Sequence, residues 1–485
     1  MTRLVSNPAF VALAATVLTG CASTSPAPAF EGVAQATAQR GAPAVRWDQN
    51  TAEDEQASKA IQDLLARELT VDAAVQIALL GNARLRSTFE ELSVAQADLV
   101  QARLLKNPVF TIGSTPWDSE HIDPNLFATI EQDFLDLVTL PMRKRVAATQ
   151  LEVTKLEVGD DVLKLSAEVR SAFYMAQAAD QTTAMQRMVS EAAQTSAELA
   201  RRQHEAGNAS DLALSSELAL ASQARLVLSR PEGEAAVARE QLTKLMGVWG
   251  KRTGFRIAPR LPELPSGEVA LDRLESLAIE KRLDIGAARR EAQALEYATS
   301  LAKTTRWTGF VNVTVEAGRL RSTKRISLGP SVSFEIPLFD QRQAAVARLD
   351  AFRRQAENNL QALSVDARSD VRASHARVAT ARRVVEEYAT HLVPIRESIV
   401  KLSQQQYDAM LLGVYQLIQA RQAEFEAYRE YIRALRDYWI ARSDLERAVG
   451  ARLAAAPAGA RPSPDSSPKA PSPASPPNSE GGHKH

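Results

Sequence analysis

The chain has 485 residues, 45% of them apolar and 24% charged, enough for more than one ordinary domain. Lysine plus arginine and aspartate plus glutamate number 58 each, so no overall field points to nucleic acid or to an acidic partner. Only 21 glycines occur among abundant Ala, Leu, Arg, Gln and Glu, which makes the class mainly α, and the single cysteine excludes an internal disulfide framework or a cysteine-built zinc knuckle.

The chain opens with "MTRLVSNPAFVALAATVLTGCAS". Arg3, a short apolar run and small residues before Cys21 read as a secretory signal over residues 1–20, too short to span a bilayer. "LTGC" resembles a bacterial lipobox, which makes Cys21 the lipidated first residue of the mature chain and residues 21–68 a linker behind that anchor. Ala22 and Ser23 follow where an Asp typically holds lipoproteins at the inner membrane, so the outer membrane is the expected address. The opposite end, residues 454–485, is rich in Pro and Ser and lacks the apolar surface to offset ordering, so it is expected to be disordered. His483 and His485 there offer at most a weak metal site.

Two copies of one unit lie between these ends. "LTVDAAVQIALLGNARL" in the first (69–247) matches "VALDRLESLAIEKRLDI" in the second (269–453), with 248–268 connecting them. Gln203 aligns on Gln406 and Gly247 on Gly450 at one common offset, so the unit is a half-protein rather than a solenoid repeat. Each half is predicted to start with one helix of about 35 residues. A strand pair follows. "GFVNVTVEAG" sets Val311, Val313 and Val315 against Asn312 and Thr314, and "ISLGPSVSFEIPLF" sets Leu328, Val332 and Phe334 against Ser331 and Ser333, the alternation of strands with one apolar face. "NPVFTIGST" and "NLFATIEQDF" are the weaker first-half counterparts.

Long helices are predicted next, over 142–204 and 341–407, each roughly 100 Å long at 1.5 Å per residue. Val158, Val162, Leu165, Val169, Ala172 and Ala176 form a coiled-coil seam. In "HEAGNASDL", Gly207 and Asn208 supply a reversal, and Ser210 or Asp211 caps the returning helix. The same break at "QYDAMLLGVYQL" makes a second long hairpin.

Four amphipathic strands, two very long helical hairpins and a tandem duplication behind a signal sequence resemble the TolC-type outer-membrane efflux channels over residues 69–453, in their lipoprotein branch. The resemblance implies a homotrimer: a twelve-stranded barrel in the outer membrane continued by a twelve-helix conduit in the periplasm. It further implies a periplasmic adaptor (a membrane fusion protein) and an inner-membrane pump as partners, outer-membrane lipids around the barrel, no nucleic acid, no cofactor and no enzymatic activity. A pump of the resistance-nodulation-division type is expected, with heavy-metal ions or drugs and other small organics as cargo. A type I protein-secretion duct and a non-channel periplasmic coiled-coil lipoprotein are the alternatives. Val311, Val313, Val315, Leu328, Val332 and Phe334 would then face lipid, and the loops "WDSEHIDP" and "GRLRSTKR" would lie outside the cell. In such channels the second hairpin tip closes the periplasmic end. Tyr407 matches the family's tyrosine there, while Met410 stands at its glycine, and Gln416 and Gln419 where acids are common. Leu411, Leu412 and Val414 then imply an apolar plug, against the plainer reading that they pack hairpin on hairpin. No phosphate-binding loop or His-Glu-x-x-His motif is present.

Overall fold

The apolar seam of the first long helix is buried as its spacing requires: Val158, Val162, Val169 and Ala176 have no exposed surface. In the computed structural model, which describes residues 24–47, 52–114, 126–267, 271–319 and 326–453, that helix is one of eleven α-helices among the described residues. Ahead of the first half, within the segment expected to be a linker, lie α1 (Ala27–Ala38) and α2 (Ala52–Ala66). The first half continues with β1 (Glu68–Leu69), α3 (Val71–Gly81), α4 (Ala83–Arg103), β2 (Val109–Ser114), β3 (Leu126–Asp133), α5 (Leu135–Glu205) and α6 (Asp211–Met246). After β4 (Arg256–Ile257) the second half repeats the order: α7 (Leu271–Lys281), α8 (Leu283–Thr304), β5 (Val311–Arg319), β6 (Ile326–Phe334), α9 (Gln343–Glu387), α10 (Val393–Asp408) and α11 (Val414–Val449).

Three expectations need correction. The opening helix of each half is two helices, broken at Asn82 and at Arg282. The four strands are joined by a second sheet, the parallel two-residue pair β1–β4, which ties the start of the first half to the inter-repeat connection. Finally, α5 begins before Pro141 rather than after it. The proline's missing N–H costs little there, because Leu137, whose carbonyl it would have served, is half exposed and open to water. Asp133 fixes the start, its Oδ1 accepting from the Leu135 N–H at 3.0 Å.

At 71 residues α5 is about 105 Å long. Its counterpart is interrupted: a π turn over Tyr388–Leu392 separates α9 from α10, just ahead of Pro394, where a helical hydrogen bond is lost.

The two helix breaks are explained by what packs on them. Gly247 (φ 67°) ends α6 against the α3–α4 break, so close that a Cβ would lie 2.7 Å from the Gly81 carbonyl oxygen and 2.8 Å from Asn82 Cα. Asn82 caps α4, accepting from Arg84 and Leu85, and donates its amide to the Leu245 carbonyl at 2.8 Å. Gly450 (φ 75°) repeats the contact at the α7–α8 break, where a Cβ would lie 2.9 Å from Arg282 Cα. This waist holds the largest buried side chains, among them Tyr438, Phe89 and Leu242. Phe30, Trp47 and Phe89 form an aromatic cluster with centroids 5.1–6.2 Å apart, pinning α1 to the body.

Candidate functional site

The sequence-predicted residues fall in two regions, the sheet and the two hairpin tips, with the waist between them.

The larger sheet runs β2-β3-β5-β6, antiparallel throughout. Its register sorts the side chains. Val311 pairs with Phe334 and Val313 with Val332, while Asn312 pairs with Ser333 and Thr314 with Ser331. Cross-strand partners share a face, so Val311, Val313, Val315, Leu328, Val332 and Phe334 stand on one side with Ile130, Leu126, Phe110 and Ile112. Asn312, Thr314, Glu316, Thr129, Glu131, Ser331 and Ser333 stand on the other, where Asn312 donates to Glu131. The apolar side is bare: Leu328 is 71% exposed and Val332 61%. β2 and β6 are edges with no strand partner among the described residues. An uncovered apolar face and two open edges cannot stand in water as they are.

The first hairpin tip closes as the sequence predicts. Gly207 is left-handed (φ 76°), with its N–H 2.9 Å from the His204 carbonyl, and Asn208 reaches the Gln203 carbonyl at 2.8 Å. Ser210, rather than Asp211, is the cap, its hydroxyl accepting from the Ala213 N–H at 3.2 Å. Asp211, in the first turn, lies 3.4 Å from His204 Nε2.

The second tip keeps the backbone and changes the residues. Met410 N–H meets the Tyr407 carbonyl at 2.9 Å and Leu411 N–H the Gln406 carbonyl at 2.8 Å. Met410 is itself left-handed (φ 59°) and 93% exposed. Gly413 occupies the cap position without a capping side chain. Leu411, Gln416 and Gln419 are exposed, and Tyr407 and Leu412 are less so. The side chain of Val414, which begins α11, lies outside the described residues, as do Cys21, His483 and His485. The tips touch through Tyr415, whose hydroxyl is 3.5 Å from Ser216 Oγ on α6. Higher in the second hairpin Tyr428 on α11 donates to Glu397 on α10; that bond, reinforced by burial, pushes the phenol up to about 12.

At the waist the halves are joined by charge. Arg447 grips Asp160 of α5 with two bonds of 2.6 and 2.7 Å, and Arg170 meets Glu446 at 2.9 Å with both side chains nearly buried. Burial pushes the Glu446 carboxyl up, opposed by Arg170. Sequence reasoning missed this network, because its members are hundreds of residues apart. Among the described residues no group of three or more His, Cys, Asp or Glu side chains is placed to hold a metal, and no helix is long and apolar enough to cross a membrane.

No protein-family model matches the chain, and no curated protein matches it in sequence. Solved structures do. A membrane protein from Pseudomonas aeruginosa superposes with a TM-score of 0.68 at 20% identity, covering 78% of this chain and 92% of its own. The Campylobacter jejuni CmeC outer-membrane channel gives 0.67 at 13%, covering 85% and 91%. CusC, described as undergoing transmembrane channel formation, gives 0.64 at 15%, covering 79% and 92%. The fold is that of the TolC-type outer-membrane channels.

Proposed function

We propose that three copies of this chain form one tube, the outer-membrane exit channel of a tripartite efflux system. The observation that carries the reading is the four-stranded sheet, with one bare apolar face and two open edges, set at the end of two long helical hairpins. Four strands cannot close a barrel, whereas twelve satisfy every backbone edge in lipid. Strands of nine residues are long enough to cross tilted. The hairpins then extend into the periplasm towards an adaptor and an inner-membrane pump of the resistance-nodulation-division type, with metal ions or small organic compounds as cargo. The likeness to CmeC and CusC supports this reading. The chain performs no chemistry in this scheme; the pump supplies the energy.

The test is the sheet's facing. Val332→Arg places a charge in lipid and is expected to cost about 2–4 kcal/mol, while Ser331→Arg in the lumen is tolerated. Heat-resistant trimer on a gel should be lost in the first variant and kept in the second; equal loss in both defeats the assignment. Anchoring is tested separately. Cys21→Ala should abolish fatty-acid labelling, and label that survives the substitution rules the anchor out.

A further inference from the structure

The junction of the second half, where α8 enters β5 and β6 leaves for α9, holds two arginines that the fold leaves without acids. Arg342 donates through Nη1 to Thr305 Oγ1 at 3.0 Å, and Arg306 through Nη2 to Gln341 Oε1 at 3.4 Å. Each guanidinium is thus bonded to the sequence neighbour of the other. Neither makes an ion pair among the described residues, and Arg306 Nε is buried with no partner at all. The Asp340 carboxylate accepts from the Arg342 backbone N–H at 2.8 Å and pairs with neither guanidinium among the described residues. Arg342 also holds a left-handed backbone (φ 56°), which costs a non-glycine residue about 1 kcal/mol or more.

The matching junction of the first half is neutralised. Lys106 pairs with Asp133 at 2.9 Å, and Arg143 with Asp136 at 3.0 Å. The first junction thus pairs Lys106 and Arg143 with acids, whereas Arg306 and Arg342 of the second make no ion pair among the described residues.

What surrounds the arginine pair names the missing anion. The Arg306 guanidinium lies over the Trp307 ring, 4.9 Å from its centroid, and Trp307 is itself 61% exposed. Leu338 is 71% exposed and Phe339 93%. This apolar collar continues the bare face of the sheet at the end where α8 enters β5 and β6 leaves for α9. Exposed Trp and Phe beside arginine are what a membrane–water interface accommodates, with rings at headgroup depth and guanidinium on phosphate.

We propose that Arg306 and Arg342 bind the phosphate of an anionic phospholipid in the leaflet nearest the helical conduit, with Trp307 and Phe339 seated beside its glycerol and upper acyl chains. The inference rests on the reading that the sheet spans a membrane. It assigns each copy of the chain one lipid site, on the second half alone.

The experiment uses the full chain reconstituted in phosphatidylcholine vesicles with and without phosphatidylglycerol. Bound lipid is identified by native mass spectrometry, and Trp307 is probed by quenching with brominated lipids, with Trp307→Phe as the blank. The wild type should retain phosphatidylglycerol over phosphatidylcholine. Arg306→Gln with Arg342→Gln should reduce that preference about tenfold or more. The double Lys variant should keep part of it, since charge remains but the planar fork is lost. Lys106→Gln should leave it unchanged. A Gln double variant that inserts and keeps the full preference overturns the site, as does inorganic phosphate that binds as tightly as the lipid. A chain that enters neither kind of vesicle overturns the membrane reading itself.

Discussion

The two halves place left-handed residues at the same two points, and treat them differently. At the waist, Gly247 and Gly450 are both glycine; at the tips, Gly207 is matched by Met410. The difference lies in what surrounds each position. A Cβ at Gly247 or Gly450 would run into backbone, whereas one at Gly207 would meet nothing within 4 Å. Where only the dihedral is at stake, another residue can take the position for about 1–2 kcal/mol; where backbone also approaches, glycine is compulsory. The second tip thus carries strain and lacks a capping side chain, while the first has Gly207 and Ser210. Proline sharpens the contrast, since the second hairpin is also the one interrupted ahead of Pro394.

The comparison breaks most visibly at the waist. Gly247→Ala and Gly450→Ala should each cost about 3 kcal/mol, strain and overlap together, read as earlier loss of helical circular dichroism in urea. If either variant unfolds with the wild type, the close approach carries no energy. Gly207→Met should cost only about 1 kcal/mol. Its mirror, Met410→Gly, should stabilise the second tip by about 0.5–1 kcal/mol, the relief of strain being partly offset by a freer unfolded chain. Hydrogen exchange at the Leu411 amide reports it: slower exchange is expected, and faster exchange contradicts the strain. The smallest effect is electrostatic. Burial, with Asp160 beside it, raises the Asp161 carboxyl above its ordinary value. A group whose pKa is higher in the fold contributes its stability at low pH and loses it as pH rises through the folded value. Asp161→Asn should therefore raise the melting temperature at neutral pH, with the gain vanishing below the ordinary carboxylate range; a gain that persists in acid argues against the assignment.

Much of this was legible in the sequence. "VNVTVEAG" alternates with a period that only a strand can use, and the observed register keeps its valines on one face. The seam from Val158 to Ala176 is the buried face of α5. The break at Asn82 had a local signal in the Gly81–Asn82 pair, but the break at Arg282 had none: both follow from a glycine of the returning helix more than 160 residues downstream. Met410 stands at the glycine position that the resemblance implies, yet nothing local says that it keeps the glycine's dihedral. Tertiary packing decides such points, as it does the meeting of Arg306 with Gln341.

The β3–β5 ladder, which pairs Ile130 of the first half with Val315 of the second, bears on the order of assembly. During synthesis the β2–β3 hairpin emerges long before its neighbour exists, with Phe110, Ile112 and Ile130 bare and an edge unmatched. Pairing so distant along the chain is slow to form, and the waiting hairpin is prone to aggregate. The first hairpin therefore keeps its apolar face and its edge uncovered until the second is made.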